Sequence, residues 1–579
     1  MLSHLRRPVV VLALVLLVLL SVLVVVPVAG LVSSTLRPDG LAAWGDVLTG
    51  RLAPALLHEP LLNSLLVGAA TAAGSVLLGG ALAWVVVMTD IPFRRTVTFL
   101  ASVPFALPSF ALALAWESVF RNELVGSGRV GLLTDLGMTV PDWLAWGPLP
   151  VAATLIAHYY SLSFMLTAAA LATVNAELVE AAELTGAGRF RVAWSIAVPV
   201  VTPAVISGAL LAFAEGISNF AAPAVLGLPV RFHTLSTRAY GAITTGQIER
   251  GYVLSVILVV VAAMVLLIST RVAGRRRSFA TITGKGGRRR RVRLGAARIP
   301  VTVAVFALVT VTTIGPGVLL VASSLLRRTG SFTSGFTTHF WFGGSDPSMA
   351  QGVAGILRNP QIITAFGNTL ALGLAVAVVA TTLGLLIGYA TTRLNAADPL
   401  EANLNRGLSL LSYLPFLVPG VALGAAFIAQ FGRPIGPLPA LYGTFALLVI
   451  ASAAATLPFA SQAGRSAVGQ ISPDVEEAAT IAGAGLLRRL SRIVLPLSAR
   501  GLFAGAVLVF VNVVRDLSLL VLLVTPATPL LSILTYRYAS EGFTQFANAV
   551  TVVIVAISLA ATLAARRLEG ASQPWLEER

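Results

Sequence analysis

Long apolar blocks run along almost the whole chain, separated by short polar segments in which Arg, Asp, Gly and Pro collect. A helix needs about 20 apolar residues to cross a bilayer core of roughly 30 Å. The blocks predict twelve spans: 8–31, 61–88, 97–120, 149–174, 200–224, 250–271, 299–325, 362–391, 406–430, 440–463, 500–525 and 546–566. No strand-like alternation competes with them, which argues against a β-barrel. The first block follows His4, Arg6 and Arg7 and resembles a secretory signal at its start. Its apolar core is too long for one, and no small-x-small cleavage site follows, so it reads as an anchor.

Composition agrees with the pattern. The 579 residues are 56% hydrophobic and only 11% charged, with a mean hydropathy of +0.88. A soluble chain would carry about 25% charged residues. The net charge of +16 would suggest nucleic acid in a soluble protein. Placement gives a better account. With the N-terminus inside, most Lys and Arg fall in cytoplasmic segments, among them Arg94, Arg95, Arg189, Arg191, Arg393, Arg566 and Arg567. This is the positive-inside rule, and it puts both termini in the cytoplasm. The densest block, Arg275 to Arg298 with Arg288-Arg289-Arg290-Arg291, reads as a solvated linker touching anionic membrane lipid, not as a nucleic-acid site. The absence of cysteine excludes disulfides and thiolate metal ligands.

That linker divides the chain into a first half, 1–271, a basic segment, 272–298, and a second half, 299–579. The halves repeat. Asn63 and Gly79 match Asn368 and Gly384. Pro104-Phe105 with Pro108 matches Pro415-Phe416 with Pro419, and Phe213 matches Phe510. Six spans per half leave the two halves in the same orientation. The expected fold is therefore an all-α polytopic membrane protein of about twelve helices. Its two parallel six-helix repeats are related by a pseudo-twofold axis along the membrane normal, with the substrate path on that axis.

The most informative repeat lies in two polar breaks, 175–199 and 465–496. The first reads Glu180-Ala181-Ala182, Gly186, Ile196 and Pro199; the second reads Glu477-Ala478-Ala479, Gly483, Ile493 and Pro496, with the same internal spacing. Alanine favours helix, glycine ends one with positive φ, and proline suits the first turn of the next. After each glycine comes a basic amphipathic stretch, Arg189 to Trp194 in one copy and Arg488, Arg489 and Arg492 in the other. The expected product is a helix–turn–helix on the cytoplasmic surface, with an Ala-Ala face that another protein can approach closely.

These loops resemble the EAA loop of permease subunits of binding-protein-dependent ABC importers. The second copy carries the Ile-x-Leu-Pro ending as Ile493, Leu495 and Pro496, and the first departs from it at Val198. The resemblance implies that both loops dock in clefts of a cytoplasmic ATPase dimer and carry its motion into the membrane. It also implies an extracytoplasmic substrate-binding protein and a bacterial inner-membrane location. ATP and magnesium would sit on the ATPase, with no cofactor on this chain. The Pro-Phe-x-x-Pro motifs and the segment Phe213 to Pro223 are similar to fused double permeases for ferric iron, with Asn219 where an acid is usual. Thiamine, polyamine and phosphonate importers share much of this. A twelve-helix secondary transporter also fits six plus six spans. It would place a basic signature where this chain has Thr89 to Arg95, and it leaves the doubled loop unexplained.

Catalysis by the chain itself finds no support. Gly284-Lys285-Gly286 lacks the flanking residues of a phosphate-cradling loop. No His, Asp and Glu stand at metal-ligand spacing, and no Ser/His/Asp set is credible.

Charged groups inside spans are costly and mark function. The repeat makes Glu215 equivalent to Asn512, and Asn219 to Asp516. Each half thus places two polar residues four apart, which puts them on one helix face. These stripes read either as a lining of the path or as a clamp between the halves. Arg515, beside Asp516, faces elsewhere and is expected to pair with Glu215. Glu117 reads as interfacial. Pro104, Pro108, Pro415 and Pro419 read as helix kinks.

Overall fold

The computed structural model describes residues 7–126, 128–174, 184–185, 191, 195, 198–274, 292–434, 436–437 and 439–569. Among the described residues ten helices are long and apolar enough to cross a membrane, and two sharply bent helix pairs raise the number to twelve. Among the described residues the only paired strands form one small hairpin, Leu326–Arg328 with Ser331–Phe336. The protein is an all-α polytopic membrane protein. Pro148, Pro360, Pro399 and Pro473 start helices, where a missing N–H costs nothing, while Pro104, Pro203 and Pro458 lie inside them.

The third and ninth spans are not kinked helices. Arg94–Ala106 is followed by Ser109–Phe120 at 97°, and Pro399–Leu417 by Gly420–Phe431 at 107°. The second proline of each motif causes the break. A residue before proline is driven out of the helical region, and Leu107 and Val418 accordingly sit at ψ 149° and 111°. The fifth and eleventh spans also end early, at Ser218 and Arg515, before the short helices Ala221–Leu226 and Leu520–Leu523. Asn219 lies beyond the helix end. Asp516 is the C-terminal cap, with ψ 127°. The expected four-residue stripes are therefore not formed on a single helix face.

The repeats pack alike, and the matched residues explain themselves. Asn63 Nδ2 donates to the His233 carbonyl at 2.9 Å, and Asn368 Nδ2 to the Pro529 carbonyl at 3.1 Å. Gly79 and Gly384 allow close helix crossing: an added Cβ would stand 2.5 Å from the Tyr160 carbonyl oxygen and 2.2 Å from that of Ala460. Small residues at such crossings are the usual means of helix association in lipid.

Sequence halves and packing halves differ in one respect. The first span packs on the second half, where Val10, Leu16 and Leu20 meet Ile387, Leu404 and Leu457. Arg7 is ion-paired there with Glu401 at 2.8 Å. The seventh span returns the exchange, with Val305 and Val309 against Leu82, Val97 and Ala101. Thr313 also donates to the Leu100 carbonyl at 3.1 Å. Each repeat thus lends its first helix to the other.

Candidate functional site

The second polar loop is described in full. Ser472 caps the helix Pro473–Ile481. Gly483, at φ +81° with open space where a Cβ would stand, ends it and turns the chain. Leu486–Arg489 then runs into the long helix Leu495–Arg515. Glu477 and Ala478 are exposed and Ala479 is half-buried. Ile481 is 89% exposed, a large apolar side chain with nothing over it. The first copy's Glu180, Ala181, Ala182 and Gly186 lie outside the described residues. Leu184, which stands where Ile481 stands in the second copy, is described and is also 89% exposed.

One acid was missed in the sequence. Glu476 is buried at the foot of this loop, taking a hydrogen bond from Tyr389 Oη at 2.8 Å and an ion pair from Arg393 Nε at 2.7 Å. Arg393 Nη2 also donates to the Ile471 carbonyl at 3.0 Å. The loop is thereby fastened to the end of Pro360–Arg393. The repeat hides this residue, since its counterpart is Val179.

The intramembrane polar residues converge from both halves on one cavity of about 220 Å³, lined by Glu215, Ser218, Asn219, Asn512, Arg515, Asp516 and both proline motifs. The broken helices put them there. Tyr159 Oη donates to Glu215 Oε2 at 3.2 Å. Asn219 Nδ2 reaches Tyr159 Oη at 3.2 Å and Ser109 Oγ at 3.1 Å. Asn219 Oδ1 accepts the Ala222 N–H at 3.0 Å, and Asp516 Oδ1 accepts that of Leu519 at 3.3 Å. The two equivalent residues therefore share a task, each closing a three-residue turn between the span's end and the short helix that follows.

Arg515 does not pair with Glu215. Its Nη2 donates to Asn512 Oδ1 on its own helix at 2.7 Å, and its guanidinium stands 4.7 Å from the Phe105 ring centre. Among the described residues no ion pair within 4 Å joins it to Glu215. Glu117 is buried and ion-paired with Arg121. A second, mostly apolar cavity of about 950 Å³ shares Phe105, Phe416, Phe459, Glu215, Asn512 and Arg515 with the first. It extends to Gln470 and Arg566, towards the end of the bundle that carries the polar loops.

Residues 75–278 and 380–576 each match the family described as binding-protein-dependent transport system inner membrane component. The chain belongs to that family. Two matches in one chain make it a duplicated permease and a multi-pass inner-membrane protein. A putative ferric transport system permease protein of Haemophilus influenzae is 26% identical over 434 residues, covering 74% of this chain. The match spans 64% of that relative's length. A probable ABC transporter permease protein of Sinorhizobium fredii is 26% identical over 568 residues, 95% of this chain and 94% of the relative. The molybdenum transport system permease protein of Escherichia coli is 30% identical over 222 residues, covering 36% of this permease and 91% of its own length. These relatives are named as permeases, not as enzymes.

Proposed function

We propose that this permease is the membrane component of an ATP-driven importer for ferric iron. In this reading the polar loops and both termini face the cytoplasm. A separate ATPase dimer docks on the two loops, and a substrate-binding protein delivers its cargo at the opposite end. The observation that carries it is the doubled loop. Leu184 and Ile481, equivalent in the repeat, each present a bare aliphatic side chain beside a Glu-Ala-Ala motif. Exposed apolar groups at matched places call for a matched, two-sided partner.

Closure of the ATPase dimer would draw the loops together. The second loop runs directly into Leu495–Arg515, whose far end lines the central cavity, so loop motion becomes motion of the lining. The ATPase supplies the hydrolysis of ATP; this chain contributes the lever and the path.

Ferric iron is supported by the ferric relative and by the lining. Glu215, Asp516, Asn219 and several serines offer oxygen, the ligand a hard cation prefers. Passage also requires that binding inside the membrane stay weak. A second reading, an oxyanion, is favoured by Arg515 in the same cavity and by the molybdenum relative. Uptake by a strain lacking the permease decides between them, with ferric iron, molybdate, sulfate, phosphonate, thiamine and a polyamine compared. Loss of ferric uptake alone is the expected result. Loss of molybdate uptake with iron unaffected would remove iron and leave the importer assignment standing.

A further inference from the structure

Ser64 Oγ accepts the Leu235 N–H at 2.8 Å, and Thr369 Oγ1 accepts the Leu531 N–H at 3.0 Å. Ser64 and Thr369 each follow a repeat-matched asparagine, so Leu235 and Leu531 are equivalent. Five residues further on stand Tyr240 and Tyr536, which are therefore equivalent too. They touch: their rings lie 6.2 Å apart at 80°. A residue in contact with its own counterpart must lie on the twofold axis relating the copies. The polar cavity is on the same axis, since Asn219 and Asp516 line it together. Phe220, fully buried, closes the gap beneath the tyrosines, 4.8 Å from Tyr240 and 5.5 Å from Tyr536. Tyr536 meets Phe220 and Tyr240 edge-to-face, and rings so arranged attract one another beyond their burial.

We infer that Tyr240 and Tyr536, seated on Phe220, form the outer gate of the path, closed in this structure. The inference rests on the importer reading for which end is outside. It names the residues between which any substrate has to pass. The gate is built to be pulled apart from below. Tyr536 sits on Leu531–Glu541, which follows Leu520–Leu523 and then Leu495–Arg515 up from the coupling loop. Tyr240 sits on Leu235–Thr244, reached from Val198–Ser218 through Ala221–Leu226. The backbone of each hairpin is held at its base by Ser64 or Thr369, leaving the tyrosine helix to pivot about that point. Rings that meet at an edge part without unlocking any charge. A constriction closed by packed rings gates by excluding water.

The absence of native cysteine makes the test direct. Ser218→Cys places a thiol in the polar cavity, and right-side-out vesicles carrying the full chain are treated with a membrane-impermeant thiol reagent. With both tyrosines present labelling is slow. Adding Tyr240→Ala and Tyr536→Ala is expected to raise its rate about tenfold or more, as for a closed–open equilibrium moved by a decade. Equal rates would overturn the gate whatever the substrate is, because this readout uses neither substrate nor ATP. A second arm guards against a misfolded alanine variant. Tyr240→Cys with Tyr536→Cys, joined by a cleavable bifunctional thiol linker in the complete transporter, should stop uptake and regain it on cleavage. Each single cysteine, treated in the same way, should keep the rate it has before treatment. Undiminished uptake in the linked protein would also overturn the gate. A gate that passes both arms in a protein that carries no ferric iron would fault the substrate reading alone.

Discussion

Glu476 and Glu477 are neighbours with opposite environments, one buried and bonded, the other exposed. Their substitutions should therefore separate stability from docking. Glu476→Ala leaves Arg393 without its partner; removing one member of a buried pair costs about 3 kcal/mol. A lower Tm and weaker coupling of ATP hydrolysis to uptake are expected, read by thermal unfolding in detergent and by the ratio of the two rates. Glu477→Gln and Ile481→Asp change exposed side chains. They should leave Tm unchanged and reduce recovery of the ATPase in a pull-down. A drop in Tm for Ile481→Asp would place that side chain in the fold and not at a partner. The motif at 477–483 was legible because it occurs twice. Glu476 was not, because the repeat puts Val179 opposite it, and repetition reveals only what both copies keep.

At the level of elements, hydropathy located most spans within a few residues, though it set the eleventh at 500–525 where the helix runs Leu486–Arg515, and it could not say which way they pointed. Each double proline lies inside one apolar block, so the block counts as a single span while the helix inside it turns by about a right angle. The readable signal was the residue before the second proline, held extended by its neighbour's ring. Pro419→Ala frees Val418 to become helical. The helix should then extend through the break and pull the motif away from the cavity. Loss of uptake with near-normal Tm is expected; full uptake would make the break incidental. Crossing points behave in the opposite way. Gly384→Val would drive a side chain into the Ala460 carbonyl, already 2.2 Å from a bare Cβ. It should lower Tm by several degrees and reduce yield, as measured by fluorescence-detected size exclusion after heating.

On the scale of the whole molecule, the duplication was plain in the sequence and the exchange of first helices was not. Two equivalent docking faces exist for each first span, and hydropathy is the same whichever is used. The choice is made by contacts such as Arg7 with Glu401 and Thr313 with Leu100. A protease site placed within 275–291 and cut after folding should therefore leave the two pieces together through purification in detergent. Separation on a sizing column would show that the exchange contributes little to cohesion.

The same exchange imposes an order on biosynthesis. The seventh span emerges after its neighbours Leu82 and Val97 are already in place. The first span's partners at 387, 404 and 457 are still unmade, and at about 5–20 residues per second they arrive tens of seconds later. For that interval its N-terminal part, Pro8–Leu20, must persist in lipid without them. Its hydropathy of 3.6 is the highest of any span, against 2.2 for the seventh. The most oily of the ten unbent spans is the one that waits longest for its full set of neighbours.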